Sequence, residues 1–388
     1  MPERVLVVGL ARSGTAAADA LEQGNVQVVR ADRKRSNDAD LSLLDGVGLL
    51  VKSPGVPGKN PLVVEARRRA VPVWSEVELG YRLLGRPKLL GVTGTNGKTT
   101  TCELLGAIFR AAGRDVVVAG NVGSPLTAAR SADWIVCELS SFQLEDVHEL
   151  RCRVAVLLNL EPDHLDRHGT FEAYRDAKLR IFERADAAVV PRGLGLPGVE
   201  FAADDPLPAE PRIPGVHNRE NAAAATAAAR AAGIEDAAIA EGLRTFPGVA
   251  HRLELVRELR GVRYVNDSKA TNTAAARRGV AAYDAPLRLI LGGSLKGEGF
   301  GPFASELRPR VRRAYLIGEA TDELACALEA AGVPYERSGD LATAVRAASA
   351  AAEPGEVVLL SPACASYDQF ENFERRGEEF RRLVQNLS

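Results

Sequence analysis

The stretch Gly91 to Thr100, GVTGTNGKTT, sets the strongest single constraint on how this chain can fold. It follows the apolar pair Leu89 and Leu90 and precedes a helical pattern from Thr101 to Ala111. A strand that passes through a glycine-rich turn into a helix lets backbone N–H groups crowd round an anion at the helix start. Lys98 adds a positive charge there, and Thr99 a hydroxyl suited to Mg2+. The general phosphate-loop pattern asks for glycine five positions before Gly97, where Val92 stands. Taken alone, the stretch leaves open a plain glycine turn beside a surface lysine.

With 388 residues the chain is too long for one ordinary domain. Hydrophobic content of 46% and charged content of 26% are those of a soluble globular protein. A net charge of −2 gives no basis for nucleic acid or an anionic membrane as partner. No apolar run reaches the roughly 18 residues that argue for a spanning helix. The chain enters the strand Arg4 to Val8 directly, without a signal-peptide layout. Five cysteines are scattered without CxxC spacing, which points to a reducing cytoplasm and to no disulfide frame or zinc knuckle.

Only eight of the 49 basic residues are lysine. Arginine serves wherever a generic positive charge is enough. A lysine kept inside a motif is therefore expected to act through its compact ammonium or its amine, which arginine cannot copy. Lys98, Lys178, Lys269 and Lys296 all lie in such places.

The first eighty or so residues alternate strand and helix, which implies a small parallel sheet with ligands at its carboxyl edge. Strands are expected at Arg4 to Val8, Val26 to Val29, Leu49 to Lys52 and Val71 to Trp74. The first runs into a glycine turn, and Asp32, after the second, suits a ribose or uracil group. The glycines do not spell GxGxxG, so a structural turn competes with a nucleotide site. Gly85 to Lys88 reads as a linker.

Beyond the glycine-rich turn, Trp134 to Glu138 is a buried strand whose final carboxylate is placed to hold Mg2+. Val116 to Gly120 leads into a loop with Asn121, and Val154 to Asn159 into a loop with His164. By itself His164 would more often be a hydrogen-bonded loop histidine. In the expected helix Phe171 to Glu183, Phe171, Tyr174, Ile181 and Phe182 form one stripe, and Lys178 falls within it. A lysine on a buried face must pair, lose its charge, be modified, or snorkel outward. From Ala187 to Pro214 proline and glycine predict an irregular segment with room for a few short strands. Asn218 and Asn221 stand at the mouth of an alanine-rich helix, where a capping role is favoured over reading an adenine edge. Four further strands, each ending in a polar or glycine-rich loop, predict a third, doubly wound sheet.

These motifs, taken in order, resemble the Mur ligases, and within them the D-glutamate-adding branch. The resemblance rests on GTNGKTT at Gly94 to Thr100, ELSSFQL from Glu138, PDHLDRH around His164 and YRDAKLR around Lys178. It continues through His217, Asn218 and Asn221, His251 and Arg252, NDSKATN at Asn266 to Asn272, and the run from Leu360 to Gly377. That last run is similar to the D-glutamate-adding branch, and no DNPR-type motif of the diaminopimelate- or lysine-adding branch is present. The chain departs from the family between Lys178 and Asn218, where it is shorter, so the resemblance does not fix the fold of residues 185 to 214.

The resemblance implies an α/β chain of three domains: a Rossmann-like N-terminal sheet over 1–87, a central P-loop ATPase-type sheet over 88–248, and a C-terminal Rossmann-like sheet over 249–388. It implies that ATP phosphorylates the carboxylate of UDP-N-acetylmuramoyl-L-alanine and that D-glutamate attacks the acyl phosphate. Gly94, Thr95, Asn96, Gly97, Lys98, Thr99 and Thr100, with Asn218, Asn221, Arg252 and Asp267, would bind ATP. Thr99, Glu138, His164 and Lys178, the last as a carbamate, would hold two Mg2+ ions, and Lys98, Glu138, His164 and Lys178 would be the catalytic set. Asp32, Ser53, Gly55 and Asn121 would bind the UDP-sugar, and Thr271, Lys296, Ser361 and Phe370 the D-glutamate. Domain closure and a monomer are expected. Another Mur or folylpolyglutamate-type ligase, or a degenerate nucleotide-binding protein, are the competing readings.

Overall fold

A computed structural model describes all residues except Val122, Pro214, Lys296 and Glu298, and the side chain of Asp166. It contains two compact units, Met1–Phe246 and Pro247–Ser388. The first unit holds two sheets and the second holds one.

The first sheet has the order β2-β1-β3-β4, with β1 Arg4–Val8, β2 Gln27–Ala31, β3 Leu49–Lys52 and β4 Val73–Ser75, all parallel. Side chains alternate across its faces, so Leu6 and Val8 join one apolar cluster while Val5 and Val7 join the other. The second sheet has the order β10-β9-β8-β5-β7-β6. Its members are β5 Lys88–Thr93, β6 Val116–Gly120, β7 Trp134–Glu138, β8 Cys152–Leu157, β9 Ala187–Pro191 and β10 Val199–Phe201. It too is parallel throughout, which explains strands written as near-continuous apolar runs. The irregular segment from Ala187 supplies two short strands, β10 at the sheet edge and β9 between it and β8.

A buried carboxylate helps join these two sheets. Glu78, in the helix Glu76–Leu83, accepts from the backbone N–H groups of His148, Glu149 and Leu150, each at 3.0 Å, and from Arg82 at 2.7 Å.

The third sheet has the order β11-β12-β16-β13-β14-β15. It comprises β11 Glu254–Leu259, β12 Val262–Asn266, β13 Leu287–Gly292, β14 Val311–Ile317, β15 Tyr335–Gly339 and β16 Val357–Leu360. Only the edge pair β11 and β12 is antiparallel among the described pairings. Leu287, Leu289 and Leu291 enter one core and Ile290 the other, so both faces are covered.

Candidate active site

Strand β5 ends at Thr93, and the helix Lys98–Ala111 begins four residues after Gly94. The turn between them needs its glycines. Gly97 has φ +83°, and a Cβ there would stand 2.2 Å from Asn221 Oδ1. Lys98 Nζ donates to the carbonyls of Gly94 at 2.8 Å and Thr95 at 3.0 Å. The loop is braced by a residue that sequence reasoning passed over as a strand end. Asn159 Oδ1 accepts from Asn96 N at 2.8 Å, and its carbonyl accepts from Thr95 N at 3.1 Å. The hydroxyls of Thr95 and Tyr174 lie 2.9 Å apart. Thr100 is buried beneath the loop.

Glu138 closes β7 and is buried. Its carboxylate accepts from Thr99 Oγ1 at 2.8 Å and from Asn121 Nδ2 at 3.0 Å. A hydroxyl, a carboxylate and a neighbouring phosphate-type cradle form an oxygen donor set suited to Mg2+, which keeps several waters and takes few protein ligands. Among the described residues no three His, Cys, Asp or Glu gather closely enough to hold a metal by themselves. A metal here would complete its shell with waters, with a bound phosphate or with a further anionic group. His164 has φ +52°, and its backbone N–H donates to Asp163 Oδ1 at 2.9 Å. Its side chain is half exposed, with the ring 4.9 Å from that of Phe142.

Lys178 lies in the helix Phe171–Leu179, which ends earlier than the apolar stripe suggested and passes into a 3-10 turn, Arg180–Phe182. The side chain is buried at 2% exposure, so it does not snorkel. Its Nζ donates to Gly94 O at 2.8 Å and sits 4.7 Å from the centre of the Tyr174 ring. Burial, and after it the charge of Lys98, pulls its pKa down to about 7, against weaker support from Asp163 and Glu138. Two lysine amines thus meet at one carbonyl, and one of them readily becomes neutral.

The alanine-rich helix runs Val216–Ala231 with Gly215 at its N-cap and no side-chain cap. The capping reading of Asn218 and Asn221 is therefore corrected. Both are buried inside the helix, and Asn221 faces the phosphate loop at Gly97. A contact between residues so far apart in sequence leaves no local signal.

In the second unit, Asp267 follows β12 and is buried. It accepts from Ser361 Oγ at 2.7 Å and from Leu253 N at 3.3 Å. Ser361 is wholly enclosed, so its hydroxyl supports Asp267 rather than facing a ligand. Gly279 is required here, since a Cβ would lie 2.6 Å from Asp267 Oδ2. Thr271 and Phe370 are partly buried, Phe370 against the core behind β16. Lys296 lies outside the described residues. Arg376 is almost fully buried and donates to the carbonyls of Gly292, Ala365, Ser268 and Cys364 at 3.0 to 3.3 Å. It pins the loops at the carboxyl ends of β12, β13 and β16 together. Its position within the charged run FERRGEEFRR concealed that burial.

Burial pushes the Asp267 carboxyl up to about 7, outweighing the Ser361 hydrogen bond and the charge of Arg252. The folded state then holds this proton more tightly than the unfolded chain, where the usual value is 3.8. Stability of this unit should fall as pH rises between those two values, by up to about 4 kcal/mol, and level off above. Asp267→Asn should flatten that slope in denaturant titrations repeated across the range. An unchanged slope would show that the proton is not held in this way.

At the first sheet, Asp32 accepts from Leu10 N at 2.6 Å and Lys34 N at 2.8 Å, and these backbone bonds hold its carboxyl below the usual range. Ser53 Oγ donates to Gly9 O at 2.6 Å. Asp32 and Ser53 thus shape the glycine turn at the carboxyl edge, while Gly55 is exposed. Asn121 stands apart from them, at Glu138.

Residues 92–192 match the family described as the Mur ligase middle domain, and residues 251–364 match the Mur ligase, glutamate ligase domain. The chain is 42% identical to the UDP-N-acetylmuramoylalanine--D-glutamate ligase of Anaeromyxobacter dehalogenans (strain 2CP-C), across 98% of this chain and 97% of that protein. It is 42% identical to the protein of the same name from Sphingopyxis alaskensis, across 99% and 97%. Among solved structures it resembles UDP-N-acetylmuramate-alanine ligase MurC from Thermotoga maritima, with a TM-score of 0.64 at 18% identity over 98% of this chain and 99% of that one. Escherichia coli FolC in complex with DHPP and ADP gives 0.58 at 20% identity, over 80% and 93%. At such identities these two likenesses concern the fold.

Proposed function

The chain belongs to the Mur ligase family, in its D-glutamate-adding branch, and on that premise we propose that it joins D-glutamate to UDP-N-acetylmuramoyl-L-alanine with conversion of ATP to ADP and phosphate. A carboxylate is a poor electrophile. Transfer of the γ-phosphoryl group makes the alanyl carboxylate an acyl phosphate. The D-glutamate amine then adds to its carbonyl carbon, and the C–O bond to phosphate breaks as the amide forms. Attack of an anion on a triphosphate needs cations to offset repulsion.

The residues suit those tasks. Lys98 exchanges the Gly94 and Thr95 carbonyls for phosphate oxygens. Thr99 and Glu138 would hold Mg2+, with His164 at a second ion, and the charge such ions supply would offset that of the transferring phosphoryl group. Lys178 as a cation would oppose such a metal. As a carbamate, formed when its neutral amine adds CO2, it presents two oxygens instead. Asn218, Asn221, Arg252 and Asp267 bind the nucleotide, with Ser361 acting through Asp267. Asp32, Ser53 and Gly55 bind the UDP moiety, Asn121 reaches toward the sugar end, and Thr271, Lys296 and Phe370 receive D-glutamate. The three segments 1–87, 88–248 and 249–388 then serve the UDP-sugar, ATP and the amino acid in turn. The protein works as a cytoplasmic monomer; none of its five cysteines is in a disulfide, and among the described residues no helix is long and apolar enough to cross a membrane.

The observation that carries this reading is the meeting of Lys98 and Lys178 at the Gly94 carbonyl, beside the Thr99–Glu138 pair. Phosphate release should require ATP, Mg2+, the UDP-sugar and D-glutamate together. Release with L-glutamate or L-lysine in its place would keep the family and overturn the branch. No release with any of them would overturn the ligase reading.

A further inference from the structure

We propose that Arg167 and Lys52 are positioning residues for the sugar-nucleotide acceptor, pinning the turn after β3 to the loops that carry His164 and follow Glu138. The inference rests on the reading above, in which Ser53 and Gly55 of that turn bind the UDP-sugar.

Lys52 is the last residue of β3 and has no exposed surface. Its ammonium reaches the second sheet, 2.9 Å from Glu145 Oε2 and 2.8 Å from Asp146 Oδ2. Both acids follow the short helix Ser141–Leu144, which begins three residues after Glu138. Asp146 gathers further contacts from the helix Pro61–Arg68 and from β4. Arg67 donates to Asp146 Oδ1 at 2.8 Å, and Ser75 N to the Asp146 carbonyl at 2.9 Å.

Arg167 makes the second attachment. It lies in the one-turn helix Leu165–His168, directly after His164, and donates to Val56 O at 2.6 Å. Its guanidinium carbon sits 3.9 Å from the centre of the Phe142 ring. Phe142 in turn stacks on His168, with ring centres 5.1 Å apart and 12° between planes. His168 lies 3.0 Å from Ser141 Oγ through Nε2 and 3.6 Å from Glu145 Oε1 through Nδ1. The contacts therefore close a ring: Lys52, Glu145, His168, Phe142, Arg167 and Val56. It returns to the turn only four residues from its start.

Chemistry gives this ring a purpose. The acceptor is gripped at the carboxyl edge of the first sheet, but its carboxylate must reach the phosphate at the second. A misplacement of about 1 Å can cost about a hundredfold in rate. Arginine suits the second attachment because one planar group can stack on Phe142 while donating to Val56. A plain adhesive between sheets would affect all substrates alike. A device that places the acceptor affects one of them.

The test is Arg167→Leu, with KM measured separately for each of the three substrates and UDP-N-acetylmuramoyl-L-alanine binding measured directly by calorimetry. The expected result is a rise of about tenfold to a hundredfold in KM and Kd for the UDP-sugar, with KM for ATP and D-glutamate within about twofold of wild type. Arg167→Lys, which keeps a donor for Val56, should recover part of the loss, and Lys52→Met should show the same selectivity. If Lys52→Met does not fold, the half-buried Arg167 carries the test. Equal rises in all three KM values, or unaltered UDP-sugar binding by a folded Arg167→Leu beside an active wild type, would overturn the inference alone. Wild-type protein that neither binds nor consumes the UDP-sugar would overturn the reading beneath it.

Discussion

Replacing Lys178 by alanine lowers kcat/KM by about a hundredfold to a thousandfold, the scale set by removing a preorganised electrostatic group from a transition state. The size follows from where the amine sits. It is buried at 2% exposure, donates to the phosphate loop at Gly94, and shares that carbonyl with Lys98. An amine with a pKa near 7 is largely neutral just above that pH, and only the neutral form adds CO2. Wild-type enzyme depleted of CO2 should therefore start slowly and recover on adding bicarbonate, and at a fixed concentration of dissolved CO2 the recovery should quicken as pH rises through about 7. Isotope-labelled bicarbonate should give a carbamate carbon resonance in wild type that Lys178→Ala lacks. Full activity in Lys178→Ala, or no dependence on bicarbonate, would remove the lysine from the proposed metal shell.

The second large effect is at Glu138. Glu138→Gln keeps the shape and one oxygen, which can accept from Asn121 while the new NH2 faces the Thr99 hydroxyl, but removes the charge. We expect kcat to fall about a hundredfold to a thousandfold. The Mg2+ concentration for half-maximal rate should rise, with the thermal midpoint little changed. A variant whose Mg2+ dependence matches wild type would place the metal elsewhere. Asn121→Ala offers a comparison, since it deletes one donor to Glu138 and leaves the carboxylate in place.

The loop edge of the second sheet was legible because its signals are local. Strand, glycine turn and helix share one short stretch, and the 3.6-residue period alone placed Lys178 among Tyr174 and Ile181 on a buried face. Long-range partners left no such trace. Asn221 belongs against Gly97, and Asn159 braces Asn96, through contacts that only the folded sheet creates. The two short strands β9 and β10 were obscured by proline and glycine, since a short parallel strand owes its existence to its neighbour. Lys52 and Arg376 were harder still. Arg376 sits in a charged run that suggests solvent and Lys52 at the end of an apolar strand, and both are enclosed because distant acceptors converge on them.

Phosphorylation is the step that is proposed to activate the acceptor carboxylate. UDP-N-acetylmuramoyl-L-alanine carrying heavy oxygen at both positions of its alanyl carboxylate tests it most directly. If the acyl phosphate forms, each phosphate released during ligation carries one heavy oxygen from the substrate, and the new amide keeps the other. Phosphate free of the label, alongside product formation, would contradict the account.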